Sequence, residues 1–105
     1  MARVSNREAR QIIANREEFQ SHTGSLSGEY ALSRYTETGQ LPMPYVTELR
    51  KAIDEAGKRG NRVYVVRSYA TPIGWFDGER WSRPDVKYSV TTSRHQGTVP
   101  LDGSR

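Results

Sequence analysis

Apolar side chains follow a helical spacing near the start of the chain. Over residues 5–20 they recur at intervals of three to four positions. Ser5, with Glu8 three residues later, fits a capping box that would satisfy two backbone N–H groups. We therefore expect a helix with a narrow apolar stripe that rests on another layer. The stripe consists of Ala9, Ile12, Ile13 and Phe19.

A second helix is predicted over residues 44–56. Pro44 suits the first helical position, where its missing N–H costs no hydrogen bond. After the apolar positions end, Gly57 or Gly60 can adopt the left-handed conformation that commonly ends a helix. One face of this helix is apolar and is expected to be buried, and it consists of Tyr45, Leu49, Ala52, Ile53 and Ala56.

The spacing changes to that of β-strands after the second helix. Residues 62–70 and 73–76 are rich in β-branched and aromatic side chains, and Thr71-Pro72 interrupts them. A last strand is predicted over 86–92. Residues 21–43 are the least defined stretch: 21–28 has the composition of a loop, and the residues after it fit either a helical turn or a short strand.

Asp77-Gly78 predicts a hairpin between two of these strands. A two-residue turn would pair Phe76 with Glu79, whereas a four-residue loop would pair Phe76 with Trp81. We favour the four-residue loop, because it sets two aromatic rings opposite each other.

The elements together predict an α+β fold. Two N-terminal helices would cover one face of a small C-terminal antiparallel sheet of three to four strands. We expect one domain over residues 1–98 and a polar tail over 99–105.

Composition excludes several classes of protein. The chain has 105 residues and no cysteine, which excludes disulfides, thiolate zinc sites and cysteine nucleophiles. No apolar run is long enough to span a membrane, and the polar N-terminus does not resemble a signal peptide, so we expect a cytoplasmic protein. No metal-ligand spacing or phosphate-binding glycine loop is present, and we expect neither a metal nor a cofactor.

Positive charge is concentrated in the C-terminal half. The net charge is +4, and residues 58–105 hold nine Lys or Arg against four Asp or Glu. Such asymmetry favours an anionic partner, although a soluble surface with spare arginines would look the same. The candidates are Arg67, Arg80, Arg83, Lys87 and Arg94 for phosphate, with Trp75 or Trp81 stacking on bases.

The same aromatic residues are needed for a core, because the chain has few Leu and Ile residues. Of the five aromatics in residues 62–81, we expect about three to be buried and one or two to be exposed. They are Tyr64, Tyr69, Trp75, Phe76 and Trp81.

Residues 88–96 form a polar segment that fits an anion site. Clustered hydroxyls beside Arg and His suit phosphate, yet Thr is also an ordinary strand residue and Ser93 can cap a turn. His95 is a candidate general acid or base, but a single histidine does not make a catalytic site. The polar residues of interest are Ser89, Thr91, Ser93, Arg94, His95 and Gln96.

Two motifs stand out in this half of the chain. The first is Ser68-Tyr69-Ala70-Thr71-Pro72-Ile73-Gly74-Trp75, followed by Trp81. The second is Tyr88-Ser89-Val90-Thr91-Thr92-Ser93-Arg94-His95-Gln96. Together they resemble a family of small uncharacterised proteins from bacteriophages, plasmids and actinobacterial or archaeal genomes, whose pattern has alanine in place of Gly74. The resemblance covers residues 62–98. It implies a phage or mobile-element origin and action inside a bacterial cell, and it assigns no catalytic residue.

Three functions fit these observations. The first is a non-enzymatic accessory protein that binds nucleic acid through its basic, aromatic C-terminal sheet. The second is a module that binds a host protein or a second copy of itself. The third is a metal-independent endoribonuclease, for which Lys87, Tyr88, Arg94 and His95 are the candidates. Neighbouring residues on one strand point to opposite faces, which weakens the third reading.

Overall fold

The described residues form two helices and six short strands. The structure is a computed structural model, and it describes residues 2–21, 24–31, 33 and 36–84. Within those residues neither helix is long and apolar enough to cross a membrane. In chain order the elements are β1 (Ala2–Val4), α1 (Asn6–Ala14), β2 (Phe19–Ser21), β3 (Leu26–Tyr30), α2 (Met43–Lys58), β4 (Tyr64–Ser68), β5 (Thr71–Phe76) and β6 (Trp81–Ser82).

The six strands form one sheet in chain order. Strands β2 to β6 are antiparallel, and β1 pairs in parallel with β2 at one edge. The α+β class and the two helices are confirmed. The prediction of a C-terminal sheet of three to four strands is wrong, because three of the strands precede α2 in the sequence.

The two helices pack on opposite faces of the sheet, which corrects the prediction that both cover one face. Tyr64 and Val66 of β4 belong to a core cluster that includes Ile13 of α1. Val65, between them, belongs to a second cluster that includes Leu49 of α2. Because alternate side chains of a strand point to opposite faces, β4 is buried on both sides.

Helix α1 begins as predicted but ends early. The Ser5 hydroxyl accepts a hydrogen bond from the Glu8 backbone N–H, and the Glu8 carboxylate accepts one from the Ser5 backbone N–H. The prediction that the helix continues to Gln20 is wrong. Arg16 adopts φ 56°, which turns the chain out of the helix, and Phe19 then starts β2 with its side chain fully buried in the sheet.

Helix α2 ends in a Schellman motif. The Asn61 N–H donates to the Ala56 carbonyl at 2.8 Å, and the Gly60 N–H donates to the Gly57 carbonyl at 3.1 Å. Gly60 supplies the left-handed position with φ 75°. The predicted glycine cap is therefore confirmed at Gly60.

Strand β3 lies within the stretch whose first part was predicted to be a loop. It pairs with β4 along its whole length, and Gly28 faces Val66 in the register. A Cβ on Gly28 would lie 2.1 Å from the Tyr64 hydroxyl and 2.7 Å from Phe19. The glycine that made this stretch look like a loop is required because the Tyr64 ring crosses the strand at that point.

The β5 strand begins at Thr71, so the predicted break at Thr71-Pro72 is wrong. The register with β4 skips Ile73, which forms a bulge beside Pro72. A bulge is one of the few places where a strand accepts proline. The predicted four-residue hairpin is confirmed, since Phe76 pairs with Trp81.

Four aromatic side chains form a row on the α1 face. Tyr30, Tyr64, Phe76 and Trp81 are direct partners across β3 to β6. Ring centroids are 5.2 Å apart for Tyr30 and Tyr64, and 5.3 Å for Phe76 and Trp81. The Arg16 guanidinium lies over the Phe76 ring, 4.5 Å from its centroid. These contacts join four strands and the α1–β2 loop into one unit.

Candidate nucleic-acid interface

Basic side chains surround the C-terminal end of α2. The Schellman motif turns the chain sharply, so residues on both sides of Gly60 are held close together. Lys58, Arg59 and Arg62 are all exposed there. These three residues were not predicted as a site from the sequence. The sequence signal that could have identified them is the presence of basic residues before and after Gly60, the glycine that ends the helix.

The β5–β6 turn brings a fourth cation to the same place. The Asp77 carboxylate accepts hydrogen bonds from the backbone N–H groups of Glu79 and Arg80, at 2.8 and 2.9 Å. Gly78 at the tip has φ 102°. A Cβ on Gly78 would lie 3.0 Å from the Asn61 side-chain nitrogen, so the turn packs against the segment that follows α2.

We call this surface the basic end, and define it by four exposed cations. They come from two segments that are separate in the sequence and meet through Asn61 and Gly78. Arg83 is also exposed and lies just beyond β6. The members of the basic end are Lys58, Arg59, Arg62 and Arg80.

An open groove of about 490 Å³ lies beside the basic end, between α2 and the β5–β6 hairpin. Arg59 and Arg80 both line it, which places these two residues around one cavity. Carboxylates line it as well, so the groove has mixed charge rather than a uniformly positive wall. They are Glu48, Glu55, Asp77 and Glu79.

Arg67, the first predicted phosphate ligand, is inside the protein with 4% of its surface exposed. Its guanidinium forms an ion pair with Glu29 at 3.1 Å, donates to the Glu37 carbonyl at 3.1 Å and donates to the Thr36 hydroxyl. Burial lowers the pKa of Arg67, and the negative charges of Glu29 and Glu37 act against that shift. Arg67 therefore holds residues 36–37 against the sheet through hydrogen bonds, and it does not face solvent.

Both tryptophans that were candidates for base stacking are buried. Trp75 is 1% exposed and packs against α2, and Trp81 is 5% exposed within the aromatic row. Neither indole presents an open face to a base in this structure. The expectation for the five aromatics is confirmed: Tyr64 and the two tryptophans are buried, Tyr69 is exposed and Phe76 is partly buried.

Of the predicted phosphate ligands, Arg80 and Arg83 are the two that the structure places on the surface. The remaining candidates lie outside the described residues, as do the predicted strand 86–92 and the tail 99–105. They are Lys87, Ser89, Thr91, Ser93, Arg94, His95 and Gln96. Among the residues that are described, no group of three or more His, Asp or Glu could hold a metal ion.

Comparison with known proteins places the chain in a family. The profile of a family of unknown function (DUF8033) matches residues 8–102, which is most of the sequence. No curated protein and no solved structure matches the chain. Because the match begins within α1 and covers α2 and the whole antiparallel part of the sheet, this protein belongs to the DUF8033 family.

Proposed function

We propose that this protein is a non-enzymatic accessory protein of a phage or other mobile element, and that it binds nucleic acid through the basic end. The observation that supports this most strongly is that Arg59 and Arg80, from two separate segments, line the same groove, with Lys58 and Arg62 exposed on the chain close to Arg59. Two separate segments contribute cations to one site, which a random scatter of surface charge would not require.

Side chains, not backbone groups, would hold the phosphates. The last carbonyls of a helix carry a partial negative charge of about half a unit, so the end of α2 by itself repels an anion. Three full positive charges within five residues outweigh that effect. Arginine is suited to this task, because its planar group can donate two parallel hydrogen bonds to one phosphate.

The carboxylates of the groove define where the nucleic acid would lie. Four carboxylates and three cations, Lys51, Arg59 and Arg80, line the groove, so its net negative charge would repel a phosphate backbone that entered it. The backbone is therefore expected to follow the outer rim, across Arg80 and the three cations at the end of α2. In this arrangement the buried Arg67, Trp75 and Trp81 support the fold and make no contact with the ligand.

The origin in a phage or mobile element rests on the resemblance of the motifs. In the structure, Ser68–Trp75 forms the β4–β5 turn and most of β5. The Thr71 hydroxyl accepts a hydrogen bond from the Gln40 N–H at 2.9 Å. Thus the first motif builds a turn that holds the segment before α2 in place.

The direct test is fluorescence polarisation with labelled single-stranded DNA, duplex DNA and RNA at about 50 mM salt. The Arg59→Ala/Arg80→Ala double variant should bind roughly tenfold more weakly or worse, because two phosphate contacts are lost. Arg10→Ala is the matched control, since Arg10 is exposed on α1, which packs on the opposite face. Equal affinity of the double variant and the wild type would show that the basic end does not contact the nucleic acid.

A second candidate function is the binding of a host protein, and Tyr69 is the observation that favours it. This tyrosine is 63% exposed at the tip of the β4–β5 hairpin and adopts φ 57°. Bulky residues rarely adopt that conformation, and strained residues are concentrated at functional positions. Pull-down from a bacterial lysate should then yield a protein that the wild type captures and Tyr69→Ala does not.

A further inference from the structure

A small pocket opens next to the basic end. Its volume is about 240 Å³, and it lies between the C-terminal half of α2 and the start of β4. Asn61, one of its lining residues, also packs against the β5–β6 turn. The pocket is therefore adjacent to the cations of both segments. Its lining consists of Ala31, Ile53, Gly57, Asn61, Arg62 and Val63.

The pocket has apolar walls and a polar rim. Ala31, Ile53 and Val63 supply hydrocarbon surface, and Asn61 and Arg62 are the polar residues of the lining. Its volume is below the roughly 300–1,000 Å³ of sites that hold drug-sized ligands. A single flat ring with apolar faces and hydrogen-bonding edges fits this description in both size and chemistry.

We propose that this pocket holds one unpaired base of a single-stranded nucleic acid whose phosphates contact the basic end. The inference rests on the proposed function and adds the class of nucleic acid. The aliphatic walls would contact the faces of the base. The Asn61 amide both donates and accepts hydrogen bonds, so it can pair with a base edge.

The positive charge around the pocket favours a nucleic acid over a peptide side chain as the occupant. Arg62 lines the pocket, and Lys58 and Arg59 lie on the same turn of chain. A single strand can place a base in the pocket at little cost, because its bases are already unpaired. A duplex would have to unpair and unstack the base first, which costs free energy and weakens binding.

Gly57 offers a way to fill the pocket while preserving the fold. A Cβ placed on Gly57 meets no atom within 4 Å, and the residue lies in helical conformation near the end of α2. Leucine has a higher helix propensity than glycine, so Gly57→Leu should fold at least as well as the wild type. Thr47→Leu is the matched control, because it adds a leucine to an exposed position of the same helix, outside the pocket lining.

The experiment compares the binding of labelled single-stranded DNA, the same strand in a duplex, and a strand of equal length without bases. Gly57→Leu should weaken single-strand binding about tenfold and leave duplex and baseless-strand binding unchanged. Gly57→Ala should give a smaller loss, and Thr47→Leu should give none. Thermal unfolding of each variant checks that the fold is intact.

Each other outcome overturns the inference in a recognisable way. If Gly57→Leu binds the single strand as tightly as the wild type does, the pocket holds no base, while the proposed function stands. If duplex binding falls equally, the leucine obstructs the phosphate contacts and the base is not recognised. If the wild type binds none of the three ligands, the proposed function fails and this inference fails with it.

Discussion

The α1 face of the sheet and the basic end differ in what their polar groups bind. On the α1 face, the Tyr30 hydroxyl donates to the Arg16 carbonyl at 2.8 Å, and the Tyr64 hydroxyl donates to the Glu17 carbonyl at 2.6 Å. At the basic end, beside the α2 face, the charged groups point into solvent. Hydrogen bonds made inside the protein stabilise the fold, whereas exposed cations contribute little to stability and remain available to a ligand.

Two arginines show the same difference within one residue type. The guanidinium of Arg67 is buried against three acceptors of its own chain, and that of Arg59 is exposed beside the groove. Substituting each arginine should therefore affect a different property. Loss of Arg67 should affect folding, and loss of Arg59 should affect binding.

The largest effect is expected for Arg67→Ala. The variant loses an ion pair and two further hydrogen bonds and leaves a cavity, so the free energy of unfolding should fall by about 3 kcal/mol. Urea denaturation followed by tryptophan fluorescence measures this change. Arg59→Ala is the control and should stay within about 0.5 kcal/mol of the wild type. Equal stability of the two variants would contradict the comparison.

Gly28→Ala should be the next most damaging change. The added methyl group would collide with the Tyr64 hydroxyl and the Phe19 ring, and relief of that overlap should cost roughly 2 kcal/mol. Gly57→Ala makes the same substitution where a methyl group meets no atom, and it should stabilise the protein by up to about 1 kcal/mol. Thermal unfolding should show a lower melting temperature for Gly28→Ala and a higher one for Gly57→Ala. A change in the same direction for both variants would contradict this account of the α1 face.

Tyr64→Phe tests the hydroxyl alone. Removal of one buried donor leaves the Glu17 carbonyl without this partner and should lower the free energy of unfolding by about 1–2 kcal/mol. Circular dichroism in urea at neutral pH measures the loss. An unchanged stability would show that this hydrogen bond contributes nothing to the fold.

The same variant should alter the response to alkaline pH. Burial raises the pKa of Tyr64 above its usual value of about 10, and the nearby Tyr30, Glu18 and Glu17 add to the shift. The folded state thus holds this proton more tightly than the unfolded chain does. The stabilisation is complete below about pH 10 and is lost as the pH rises further. Wild-type stability should fall more steeply than that of Tyr64→Phe above pH 10.

The smallest effect is expected for Glu79→Gln. This change removes one negative charge from the groove beside Arg80 and should tighten nucleic-acid binding about twofold, with no change in stability. Fluorescence polarisation at low salt would detect it. Weaker binding would show that Glu79 supports the ligand and does not repel it.

The sequence was sufficient to predict the structural features that depend only on neighbouring residues. The capping box at Ser5, the cap at Gly60 and the loop that pairs Phe76 with Trp81 are all local, and all three are confirmed. Strand β3 was not predicted as such, because its Gly28 is explained by a tyrosine on another strand. The early end of α1 was not predicted for a related reason. No neighbouring residue indicates that Arg16 adopts the left-handed backbone conformation.

The candidate site was predicted only in part. Arg80 was identified because positive charge is concentrated in the C-terminal half of the chain. Arg67 follows two valines in a strand, and its burial depends on Glu29 and Glu37, which are distant in the sequence. The cations at the end of α2 join Arg80 only through the contact of Asn61 with Gly78, which no sequence spacing shows.

The salt dependence of single-strand binding tests the central claim most directly. If the four cations of the basic end contact phosphates, log Kobs should fall against log salt with a slope of about −3, and the Arg59→Ala/Arg80→Ala variant should give about −1.5. Arg10→Ala should keep the wild-type slope. A double variant with the wild-type slope, or a wild type that does not bind at low salt, would contradict the account.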